Sequence, residues 1–144
     1  MSATVVAIQD RLYAINGAID GVKARRTFPQ RLDPAGLPAL IALPGAAERY
    51  AARIGTGGDQ QTRLFRLLLI VAAWAAGVPT ESAQRKTELL IDAVADVYQR
   101  RPRLELDGSP LEGVLSAELL EDSGITVLGD HAAVEFLLAV TYVG

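Results

Sequence analysis

The sequence predicts a domain that mixes helix and strand, and three observations carry that expectation. Val5, Ile8, Leu12 and Ile15 recur at helical spacing, as do Leu90, Ile91, Val94, Val97 and Tyr98. Val134, Phe136, Leu138, Val140 and Tyr142 alternate at period two, as strand residues with one buried face do. The chain has 144 residues, 50% hydrophobic and 22% charged, which suits one domain over 1–144 with a sizeable core and excludes global disorder. No internal repeat, heptad array or low-complexity tract interrupts it.

Taken in order, residues 3–16 form the first expected helix, with Ser2 as cap, Gly17 at its end, and Asp10 and Arg11 off the apolar stripe. Gly21 to Phe28 reads as short, basic and partly extended. Pro29, Pro34 and Pro38 bracket a stretch that cannot be regular helix. Leu40-Ile41-Ala42-Leu43, between Pro38 and Pro44-Gly45, predicts a short buried strand. Residues 48–53 are placed to pair with the next segment of chain across Gly55-Thr56-Gly57-Gly58-Asp59, a glycine-rich hairpin tip.

Residues 62–74 admit two readings. Their Leu and Ala content favours helix by propensity, whereas the preceding turn and two apolar faces suit a central strand. The clearest helix spans 80–100, with Thr80 or Ser82 as cap and Glu81 at its positive end. Arg100 and Arg101 suit the negative end, and Pro102 stops it. Beyond the polar loop 107–110, residues 116–128 alternate weakly, and Gly129-Asp130-His131 marks a turn into the final strand. Leu137, Ala139 and Val143 on that strand's second face predict cover on both sides.

The net charge of −3 conceals a division. Residues 104–144 carry eight carboxylates and no Lys or Arg, against a basic remainder. Such asymmetry points to a polar partner-facing surface. No basic leader precedes an apolar run, and the longest uncharged stretch lies between Arg66 and Glu81, short of the roughly 20 apolar residues that span a bilayer. A soluble chain made in a cytoplasm, with no membrane partner, is the expectation.

Candidate chemistry is sparse. The absence of cysteine removes disulfides, thiolate nucleophiles and Cys-ligated metals, and His131 is the single histidine. Glu105 with Asp107, and Glu118 with Glu121 and Asp122, have the residue types for carboxylate or hard-metal chemistry. They lie in polar, turn-like sequence with no nucleophile motif, so a solvated or interface face is the expectation, with a small metal-dependent enzyme as a lesser alternative. No Gly-Lys-Ser/Thr follows the Gly55–Asp59 tip, so it is not a phosphate cradle. Lys23, Arg25, Arg26 and Arg31 have the charge to meet phosphates or an acidic neighbour. Aromatics interleaved for base stacking are missing near them except Phe28. No catalytic residue, metal or cofactor is expected.

The opening helix is followed by Leu37-Pro38-Ala39-Leu40-Ile41-Ala42-Leu43-Pro44-Gly45. Thr62-Arg63-Leu64-Phe65-Arg66-Leu67 then runs into Ala73-Trp74-Ala75-Ala76-Gly77. The helix Leu89 to Tyr98 and Val134-Glu135-Phe136-Leu137-Leu138-Ala139-Val140 complete the order. In this order of phrases, over nearly its whole length, the chain resembles the tail-terminator (tail-completion) proteins of long-tailed bacteriophages. It is similar in pattern to the related neck and head–tail connector proteins as well.

The resemblance implies an α+β fold, a small mostly antiparallel sheet flanked by the two helices, and favours strand for residues 62–74. It also implies a homo-hexameric ring in the virion, at the head-proximal end of the tail. There the ring would stop tube polymerisation, contact the tail tube and head–tail connector proteins, and let DNA pass through its lumen without specific binding. A ring is a head-to-tail assembly, in which one face of the subunit must complement a different face of the next. The expected interface residues are Lys23, Arg25, Arg26 and Arg31, Glu118, Glu121 and Asp122, and the Gly55–Asp59 tip. That tip is expected to be weakly ordered in the free chain and to engage a neighbour or the tube.

Overall fold

A computed structural model describes residues 2–29, 31, 33–51, 60–73 and 80–144, with the backbone alone for 47–51. The element order is α1 (Val5–Gly17), β1 (Lys23–Arg25), a 3-10 turn (Pro34–Gly36), β2 (Ala39–Ala51), β3 (Gln60–Ala73), α2 (Glu81–Gln99), β4 (Val114–Asp122), β5 (Thr126–Leu128) and β6 (His131–Val143). The strands form one sheet in the order β1-β2-β3-β6-β4, with β5 pairing β6 beyond the end of β4. β1 is parallel to β2, and every other pairing is antiparallel. The fold is α+β, as expected.

Both helices cover the same face. Ile8, Leu12 and Ile15 of α1 and Leu90, Val94 and Tyr98 of α2 join a single core with Leu40 and Ala42 of β2. Phe65, Leu67, Leu69 and Val71 of β3 and Val134, Phe136, Leu138, Val140 and Tyr142 of β6 complete it. Each large apolar side chain so buried stabilises the fold by roughly 1.5–3 kcal/mol relative to exposure. A buried hydrogen bond from the Tyr98 hydroxyl to Asn16 Oδ1 ties the two helices together.

Helix starts follow local chemistry. The cap of α1 is Thr4, not Ser2: its hydroxyl accepts from Ala7 N at 3.1 Å, while Ala3 N donates to Val143 O at 2.7 Å. Ser2 and Ala3 thus lie against the end of β6, too far out to start the helix. Gly17 is the last helical residue rather than a left-handed stop, and the cap is Ala18. Thr80 caps α2 through Ala83 N at 3.1 Å, with Glu81 in the first turn.

Residues 62–73 lie within the central strand β3, which pairs with β2 on one side and β6 on the other. Ladder partners on both sides take up the backbone donors that helix would have satisfied internally, and this overrides propensity. The strand predicted at Leu40–Leu43 is longer than expected: β2 continues to Ala51 through irregularities between Pro44 and Arg49. These absorb Pro44, which cannot donate to a ladder. The expected pairing across the glycine-rich tip is present, Ala51 opposite Gln60 and Arg49 opposite Thr62. Leu37-Pro38 is a cis peptide bond.

The second face of β6 is not fully covered, contrary to expectation: Glu135, Leu137, Ala139, Thr141 and Val143 are all half-buried. With both helices on the first face, the second is lined by side chains of the sheet itself. Thr62 and Thr141 share a hydrogen bond of 2.9 Å there, and Arg66 forms a two-pronged pair with Glu135 at 2.8 and 2.7 Å.

Candidate assembly interface

The sheet order carries the expected site residues to opposite edges. β1, which contains Lys23 and Arg25, is one edge, and β4, which contains Glu118, Glu121 and Asp122, is the other. Four strand spacings separate them, about 19 Å.

At the basic edge, Lys23, Arg25, Arg26 and Arg31 are all exposed. Lys23 Nζ donates to Ala35 O in the 3-10 turn, and the Arg25 guanidinium lies against Gly36. Arg25 and Arg31 line an open cleft with Pro29, Asp33 and Leu37. Arg26 differs from the other three. It pairs with Asp10 of α1 and stacks 4.4 Å over the Tyr13 ring, and the Asp10 hydrogen bond raises its pKa above the ordinary value. Phe28 is 46% exposed beside this set.

At the acidic edge, Glu118, Glu121 and Asp122 are exposed and form no ion pair among the described residues. Asp122 Oδ1 accepts from Gly124 N at 2.8 Å, holding the turn after β4. The pairing of β4 with β6 shifts register between Val114 and Ser116 and between Leu119 and Glu121. Leu115 and Leu120 are the extra residues of these two bulges, and they are 42% and 48% exposed. Reading by residue type missed them. The signal for Leu120 was the weak alternation of residues 116–128, because a bulge shifts period two by one residue.

The other candidates do not converge. Glu105 accepts from its own turn, at Arg103 N, and Asp107 sits with φ 52° in the tight turn closed by Leu106 and Ser109. His131 opens β6 opposite Leu128. No group of three or more His, Asp or Glu able to hold a metal comes together among the described residues. The Gly55–Asp59 tip lies outside the described residues. No helix among the described residues is long and apolar enough to cross a membrane.

Fold and surface together define a class: a two-layer α+β domain whose single sheet ends in two edges of opposite charge. No protein-family model matches the chain, and no curated protein matches it. Among solved structures it is similar to a chain described as from the virion of a native gene transfer agent (GTA) particle. The TM-score is 0.50 at 16% identity, covering 96% of this chain and 92% of that chain. At that identity the likeness is one of fold.

Proposed function

We propose that the protein is a structural component of a phage-like virion, and that it caps the head-proximal end of a tail tube as a homo-hexameric ring. In that role it stops tube polymerisation and offers the docking surface for the head–tail connector, while DNA passes through the lumen unbound. The observation that carries this reading is the end-to-end likeness of fold to a chain of a virion particle. The sequence resemblance to tail-terminator proteins supports the finer role. Carboxylates concentrated in one third of the chain suit either of two places in such a ring, a lumen that repels DNA or a contact with the basic face of a neighbour. The structural likeness is to a chain of a particle rather than to a named position in it, and this keeps a neck or head–tail connector role as the second reading.

Light scattering after gel filtration, with negative-stain imaging, tests the assembly. A ring of six copies is expected, and a chain that stays monomeric at high concentration and with tail tubes present overturns the reading. Incubation with tail tubes and, separately, with portal–connector complexes then divides the two roles. A tail terminator decorates tube ends, and a neck protein decorates the connector.

A further inference from the structure

We infer that copies of this chain join edge to edge: the bulged acidic β4 edge of one copy docks, side chain to side chain, on the basic β1 edge of the next. The inference deepens the ring reading and rests on it for the number of copies, while naming the contact itself.

Four observations converge on a second copy as the occupant. First, the charges are complementary and largely uncommitted. Glu118 and Glu121 on one edge, and Lys23, Arg25 and Arg31 on the other, are exposed and in no ion pair among the described residues. Second, each edge carries exposed apolar surface beside its charges: Leu115, Leu120 and Val127 on one, Tyr13 and Phe28 on the other. Charge selects the partner and sets the register, whereas apolar surface supplies the burial that holds it.

Third, β4 cannot extend the sheet in the ordinary way. Two bulges within nine residues interrupt the row of donors and acceptors that an added strand would need, so side chains make the contact. Fourth, the edges are opposite ends of one sheet, so each copy keeps a free edge of either kind after one contact forms. That is the geometry of a head-to-tail series, which closes into a ring when the rotation per copy permits. Charges of the other sign are fewer at each edge. Asp10 is occupied by Arg26, Asp33 alone lines the basic cleft, and Arg103, whose Nε donates to Val114 O, stands at the start of β4, before Glu118 and Glu121 in the strand.

Complementary charge reversal tests the contact. Glu118→Lys with Glu121→Lys makes both edges basic, and Arg25→Glu with Arg31→Glu makes both edges acidic. All four residues are exposed, and Asp122, Arg26 and Lys23 keep their structural hydrogen bonds. Each variant alone is expected to need at least about tenfold more protein to assemble than the native chain, because like charges then face each other. A one-to-one mixture is expected to assemble again, since every contact is then basic on acidic. Near-ultraviolet circular dichroism unchanged from the native chain marks a folded variant. The milder pair Glu118→Gln with Glu121→Gln, which keeps shape and removes charge, is expected to flatten the loss of native assembly on raising salt to about 1 M, where charges beyond about 3 Å are screened.

Reversed variants that assemble as readily as the native chain, a mixture that stays dissociated, or a monomeric native chain each overturn the inference. A native chain that assembles through these edges yet ignores tube ends defeats the tail role and leaves the edge contact standing. Rings that cap tubes unchanged by either reversal do the opposite.

Discussion

Tyr98 and Asn16 show how one buried polar contact couples two helices. The phenol is fully enclosed, and burial pushes its pKa well above that of a free tyrosine, with Arg101 opposing only in part. A group whose folded pKa is raised contributes stability that is complete below its unfolded pKa, near 10, and is lost as pH climbs past it. Unfolding of the native chain should therefore become easier above about pH 10, more steeply than that of Tyr98→Phe. That variant also leaves Asn16 Oδ1 without its donor, so a loss of about 1–3 kcal/mol is expected in chemical denaturation. Glu135 has the opposite sign. Its hydrogen bonds from Arg66 hold the carboxyl below the usual glutamate range, against a smaller opposing effect of burial. The stabilisation is present above the unfolded pKa and is lost as pH falls through the folded one. Carbon-detected NMR should find Glu135 titrating below ordinary glutamate, and in Arg66→Gln it should return upward. A titration unmoved by that substitution removes the pair from the account. As both side chains are partly exposed, the pair contributes under about 1 kcal/mol.

At the scale of elements, capping and bulges decide where helices begin and strands bend. Thr80→Ala removes the acceptor for Ala83 N, and a loss of about 1 kcal/mol is expected in thermal or chemical unfolding. Gly45 is tighter. A Cβ there would meet the Leu64 carbonyl oxygen at 2.4 Å, because β2 presses on β3 where its register shifts. Gly45→Ala should cost about 1–3 kcal/mol through forced displacement of backbone, and wild-type stability of that variant would show that the strands separate freely there. The helices and the final strand were legible in the sequence because each repeats its own period over many residues. Residues 62–73 were not, since their period is masked where both faces are largely apolar. The length of β2 was hidden for a different reason: Pro44 breaks the local pattern, and pairing with β3 carries the strand past it.

On the scale of the whole molecule, the sheet order converts a linear charge division into a spatial one. Placing β6 between β3 and β4 sends Glu118, Glu121 and Asp122 to the edge opposite Lys23 and Arg25, where among the described residues they form no ion pair, while Glu135 of the same third stays on β6 and pairs with Arg66. Had β4 paired beside β1, the same residues would have neutralised one another and left no complementary surfaces. Among the described residues the expected candidates thus separate into a basic edge, an acidic edge and isolated turn residues such as Asp107. The apolar part of the edges was less legible. Leu120 lies in the weakly alternating stretch 116–128 and Leu115 just before it, and the bulges that turn both outward arise only from the pairing of β4 with β6.

The sequence by itself determined the two helices, the last strand, the placement of turns and the excess of carboxylates in the final third. All of these are local properties, set by side-chain period, capping chemistry and composition. Only the tertiary structure decided that residues 62–73 are strand, that both helices share one face and that opposite charges lie at opposite edges. Those outcomes depend on which strands become neighbours, and long-range pairing leaves no periodic trace in the chain.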